Sequence, residues 1–127
     1  MPQFKKHFTP AEVRKMLPQL RKIGARAQEL VHIIQAQQSE INQAMKRVSG
    51  NGHQPAGLEV LEPLSEMQKI INDLQKAGIL LKDPVRGLFD FPTILNGEEV
   101  LLCWELSEED LGFWHSVEEG FAGRKPL

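Results

Sequence analysis

Residues 74–106 read LQKAGILLKDPVRGLFDFPTILNGEEVLLCWEL, and within them one hydrophobic period gives way to another. Leu74 closes a run of apolar positions spaced by three and four, and Gly78 then supplies the left-handed residue with which helices commonly end. Beyond it the apolar residues come in short runs, separated by Asp83-Pro84, Asn96-Gly97 and acidic turns, which is the pattern of strands. The predicted strands are Ile79–Lys82, Gly87–Phe91, Val100–Leu106 and Gly112–His115, with connections short enough for an antiparallel meander. Asn96-Gly97 turns the chain into the third of these, where Val100, Leu102 and Trp104 face one side and Leu101, Cys103 and Glu105 the other. Both sides are partly apolar, so both are expected to be covered. Glu105, sharing a face with Leu101 and Cys103, then needs a cationic, hydrogen-bonding or metal partner, and His115, Arg86 and Arg124 are the candidates.

Upstream, Thr9-Pro10-Ala11-Glu12 places a cap hydroxyl, a proline at the first helical position and a carboxylate that reaches back to an orphan amide. From Val13 the seam Leu17, Leu20, Gly24, Ala27, Val31, Ile34, Gln38, Ile41, Met45 and Val48 steps by threes and fours, the spacing of a coiled-coil stripe. A helix of about 40 residues is expected, about 60 Å long at roughly 1.5 Å per residue. Pro18 removes one amide and predicts a local bend without ending the helix. Gly24 and Ala27 permit close approach of another backbone, and Gln38 is read as reaching solvent. Ser49–Gly57 is a predicted loop of turn formers and breakers. Val60, Leu64, Met67, Ile71 and Leu74 then resume the helical stripe, with Leu61 and Ile70 broadening it. The second helix folds back on the first and covers about half of it. A long apolar stripe is rarely left to water, so a homodimer is expected.

The fold class that results is α+β: one domain over 1–127, a long antiparallel helical hairpin at about 9–78 packed with a small antiparallel β-meander and tail at about 79–127. The length of 127 residues suits one compact core. A formal net charge of -2 offers no footprint for nucleic acid, and no run approaches the roughly 18 apolar residues that span a bilayer. A cytoplasmic protein is expected, with neither nucleic acid nor membrane as partner. Cys103 is the single cysteine, so no intramolecular disulfide can form, which fits a reducing compartment.

Residue types that bind ligands concentrate in the last third of the chain. A zinc or other transition-metal site would use Cys103 and His115 with Glu105, Asp90 or His53 as further ligands, because zinc accepts nitrogen, sulfur and oxygen donors at tetrahedral corners. Paired ligand spacing is absent, and a lone buried cysteine is more often a small hydrophobe. A polar pocket would instead use Arg86 and Arg124 to bind a small anionic ligand, with His115 as acid or base, Trp104 and Trp114 as walls, and Asp90 and Glu105 as further candidate ligand-binding residues. The plainer alternative ties Asp83, Asp90, Arg86 and Arg124 into ion pairs that hold strands and tail together, with both tryptophans filling core. Nucleophilic catalysis by Cys103 and His115 lacks a helix amino terminus to lower the thiol pKa. Gly50-Asn51-Gly52 precedes no Lys-Ser or Lys-Thr pair, so it is no phosphate loop, and His7 and His53 read as solvated. Gly120–Leu127 reads as a packed tail. The leading reading is a homo-oligomeric interaction or ligand-binding protein whose sheet and tail face a protein partner or a small anionic ligand. The alternative is a metal-binding protein or small metalloenzyme using Cys103 and His115. What discriminates them is whether Arg86, Cys103, Glu105, His115 and Arg124 converge in one concave site or scatter over both sheet faces.

Lys82-Asp83-Pro84, Gly87-Leu88, Asp90-Phe91-Pro92, Leu102-Cys103-Trp104, Trp114-His115 and Gly120-Phe121-Ala122-Gly123-Arg124-Lys125-Pro126-Leu127 form a set of motifs. On these residues the chain resembles an uncharacterised bacterial family, domain-of-unknown-function family 2203. The resemblance runs from Phe8-Thr9 and Leu17-Pro18 to the final leucine, and it implies no agreed activity. The chain departs from that pattern at Glu105, where the resemblance implies a basic residue.

Overall fold

The computed structural model describes residues 2–47 and 61–127. The predicted loop Ser49–Gly57, with His53, and the seam positions Val48 and Val60 lie outside the described residues. Helix α1 spans Pro10–Arg47 and helix α2 spans Leu61–Lys76. They are followed by β1 (Leu80–Asp83), β2 (Leu88–Leu95), β3 (Glu98–Glu105), β4 (Phe113–Ser116), a 3-10 turn (Phe121–Gly123) and β5 (Lys125–Pro126). The strands form one antiparallel sheet in the order β1-β2-β3-β4-β5, a meander with a short fifth strand added by the tail. The class is α+β, as the change of period at Gly78 requires.

The start of α1 is closed by a reciprocal pair. The Glu12 amide donates to Thr9 Oγ1 at 3.1 Å, and the Thr9 amide donates to Glu12 Oε1 at 2.9 Å. The end of α2 is closed by Gly78 at φ 83, whose amide reaches the Gln75 carbonyl while the Ile79 amide reaches Leu74. Pro18 stays inside a continuous helix and is exposed, so the helix outlasts the lost hydrogen bond, as expected. Gln38 is exposed and donates to Asn42 one turn on.

Strand β2 runs past the predicted limit at Phe91 to Leu95. Pro92 would normally end it, but β1 pairs with β2 only as far as Asp90, so among the described residues the outer edge of Pro92 faces no strand. Its carbonyl on that edge instead accepts the Phe8 amide at 2.7 Å. The missing amide therefore removes nothing from the β2–β3 ladder, where Pro92 sits opposite Leu101. Leu95 and Glu98 pair across Asn96 (φ 52) and Gly97 (φ 79), a two-residue turn with both central residues left-handed.

The helices cover one sheet face. Val13, Leu17 and Leu20 of α1 and Leu74 of α2 pack against Phe89, Phe91, Leu102 and Trp104, all buried, with Phe8 and Leu111 sealing the margins. Gly24 receives a side chain rather than another backbone: Leu106 lies where a Cβ on Gly24 would sit 3.0 Å away. A smaller cluster of Ala27, Leu30 and Met67 joins the two helices, and Arg26 donates two hydrogen bonds of 2.7 Å to Glu66 across them.

Candidate metal centre

The opposite sheet face is set by register. Asp90 pairs with Cys103 across β2 and β3, and Leu101 pairs with His115 across β3 and β4, so alternation puts Asp90, Leu101, Cys103, Glu105, Phe113 and His115 on one side. The same alternation puts Trp104 and Trp114 on the helix side, where Trp104 is fully buried and Trp114 packs against the core. Cys103, Glu105 and His115 thus share one face, without the two tryptophans.

Three donors meet there. One ligand atom each of Asp90, Cys103 and His115 lies within 4.8 Å of the others, and these residues are 2%, 0% and 1% exposed. His115 Nδ1 lies 2.7 Å from the Ser116 carbonyl, an acceptor only, so Nδ1 carries a proton. The other ring nitrogen, Nε2, is 3.1 Å from Asp90 Oδ2. A proton therefore lies in that contact, on the ring or on the carboxyl group, unless a metal ion takes the Nε2 lone pair and the carboxylate together. Asp90 Oδ1 is buried and accepts no hydrogen bond, leaving a second lone-pair site unused. Burial, and then the Asp90 charge, push the Cys103 thiol up to about 12 against the pull of Arg124, so without a metal it is a protonated, unreactive thiol.

Arg86 and Arg124 each meet a carboxylate. Arg86 donates from Nε and Nη2 to Glu105 at 3.3 and 3.1 Å, and Arg124 Nη2 meets both Glu108 oxygens at 2.7 Å. Arg124 Nη2 also donates to the Cys103 carbonyl at 3.4 Å. The two guanidinium groups lie on the Phe121 ring, Arg86 at 4.1 Å and Arg124 at 4.6 Å, and Arg124 also lies 4.0 Å from the Phe113 ring. Glu105 therefore has the cationic partner its position required, and it stands apart from the three-donor cluster. Asp83 caps its own turn, accepting the Val85 and Arg86 amides. His7 meets Glu99 at 2.7 Å rather than only water.

The sequence reading did not single out Glu108. Its carboxylate also accepts the Glu105 amide at 2.8 Å, while its backbone carbonyl accepts Trp104 Nε1 at 3.1 Å and Arg21 Nη2 at 3.2 Å. Within Glu108-Glu109-Asp110 no local signal separates it from its neighbours, because the role depends on Arg124, 16 residues on.

The chain matches, over residues 6–127, the family described as "Uncharacterized conserved protein (DUF2203)". It is a DUF2203 protein. The match covers α1, α2, the whole sheet and the tail, so the buried cluster and the two arginine ion pairs all lie within the DUF2203 region. Neither a curated protein nor a solved structure matches the chain.

Proposed function

We propose that this DUF2203 protein binds one divalent transition-metal ion, of the zinc class, between Asp90, Cys103 and His115. The observation that carries this reading is the convergence of nitrogen, sulfur and oxygen donors within 4.8 Å, with His115 Nδ1 anchored to a carbonyl so that Nε2 points at the cluster. Charge supports it as well. One carboxylate and one thiolate neutralise a divalent ion, so the occupied site is a neutral unit that burial does not penalise as it would a lone charge. A tetrahedral ion at roughly 2.0–2.3 Å from its donors would draw the widest pair together and leave one corner for a small donor. Three protein donors match the ligand count of a catalytic ion, but near-complete burial closes the fourth corner to substrate, which favours a structural role. An anion pocket is less well supported, since Arg86 and Arg124 already face Glu105 and Glu108.

Elemental analysis of purified protein, with native mass on the same sample, tests the reading. One metal per chain is expected, with cobalt substitution giving a thiolate charge-transfer band that Cys103→Ser abolishes. Protein that stays metal-free after reconstitution with zinc would overturn it, and so would a metal content untouched by Cys103→Ser and His115→Ala. A second reading, self-association in the cytoplasm through the hairpin, rests on a different observation. Between α1 and α2 lies an apolar groove of about 280 Å³ floored by Met16, Ile23, Ile70 and Leu74, and Met45, Leu61 and Leu64 are 59%, 58% and 45% exposed. The native mass reads this too: a dimer supports it and a monomer at micromolar concentration ends it.

A further inference from the structure

We infer that the C-terminal strap, residues 117–127, is the movable cover of the Asp90–Cys103–His115 centre, and that ions and thiol reagents reach the centre when this strap lifts from the sheet. The claim about the ion rests on the metal reading above; the claim about access rests on the packing around Cys103 alone.

Two sides enclose the centre, and they differ in what opening would cost. On the helix side lie the buried aromatic and aliphatic residues of the main core, so a path from there requires global unfolding. On the other side the strap holds on by a few polar and stacking contacts. None of residues 117–127 is buried, and β5 has two residues paired with β4. The strap is anchored by Arg124 on Glu108 and by the Phe121 ring against the Arg86 guanidinium, with Lys125 on the Trp114 ring and the Leu127 amide on the Gly112 carbonyl as lesser ties. Arg124 reaches the backbone carbonyl of Cys103 itself, which puts the anchor against the strand that carries the thiol. Gly120, at φ 69, starts the 3-10 turn in a conformation that other residues adopt with strain, and provides a pivot. Segments with exposed polar ties and no core residues open locally at far lower free energy than the fold as a whole.

A second cover exists at the other end of the same face, where the Gln3 and Phe4 amides and His7 converge on Glu99. It serves as the internal comparison. The experiment labels Cys103, the single cysteine, with a chromogenic disulfide reagent in full-length metal-free protein, and follows zinc release to a chelator after loading. Glu108→Gln and Phe121→Ala are expected to speed labelling about tenfold, with a rate nearly independent of low urea, while Glu99→Gln leaves it unchanged. Zinc release is expected to rise in the same two variants and in the same order. Labelling that follows the urea dependence of global unfolding, or that responds to Glu99→Gln and to neither strap variant, would overturn the inference. If no zinc binds, the labelling rates still decide the strap, and the metal reading alone falls.

Discussion

His115 has two ring nitrogens and two unlike neighbours, and that asymmetry defines the centre. The Ser116 carbonyl holds one proton at Nδ1, and Asp90 faces Nε2 from a strand 25 residues away. Removing the ring by His115→Ala leaves the Asp90 carboxylate buried with neither oxygen paired, so the unfolding free energy should fall by about 3 kcal/mol or more, read from urea melts of metal-free protein. Asp90→Asn added to the same chain should recover part of the loss, because a neutral amide costs less to bury than an orphan charge. A loss below about 1 kcal/mol for the single variant would mean that water reaches the pair. Residue chemistry of this kind was half legible beforehand. A carboxylate at Glu105 had to find a partner, and a short turn away stood Arg86. That Asp90 rather than Glu105 joins Cys103 and His115 depends on which rows of three strands stand side by side.

Among the elements, turns and caps carry the strongest local signals and hence the sharpest tests. Gly87 and Gly97 both have positive φ, at 68 and 79, but their surroundings differ. A Cβ on Gly87 would collide with Leu106, which fills the notch between that turn and α1, whereas a Cβ on Gly97 meets nothing within 4 Å. Gly97→Ala should therefore cost about 1 kcal/mol of backbone strain, and Gly87→Ala appreciably more, since overpacking adds about 1–3 kcal/mol. Equal thermal shifts for the two would mean that Leu106 moves aside freely. Thr9→Ala should cost about 1 kcal/mol by opening the cap of α1. These elements were readable from sequence because a cap or a two-residue turn is decided within a few positions. The extension of β2 through Pro92 and the short β5 were not, since one needs the unpaired outer edge of the sheet and the other needs β4 already in place.

For the molecule as a whole, acid should be the first stress to loosen it. Burial opposes ionisation of Glu99, but His7 and the Gln3 and Phe4 amides outweigh it and hold its pKa below the ordinary value. Glu66 is held down by Arg26, Glu119 by Lys125 and Ser116, and Glu12 by the Thr9 amide and hydroxyl. Folded values below unfolded ones mean that this stability is complete above the unfolded carboxylate value, about 4.3, and is lost as pH falls through the folded values. Melting temperature should thus hold from neutrality to about pH 5 and drop below it, and Glu99→Gln should flatten the drop; a profile identical to that of the parent would remove Glu99 from the account. The helical hairpin poses the other question at this scale. At roughly 1.5 Å per residue α1 is about 57 Å long and α2 about 24 Å, so the length mismatch expected from sequence is present, and native mass will say whether a second copy covers it. Sequence by itself determined the class, the two helices with their caps, the Asn96-Gly97 turn and the alternation that separates Trp104 from Cys103, because each depends on neighbours within a turn or a strand. Tertiary structure alone decided that Asp90, Cys103 and His115 meet, that Glu108 receives Arg124 and that the tail pairs with β4, because those contacts join residues whose separation along the chain says nothing about their distance until the strand register is set.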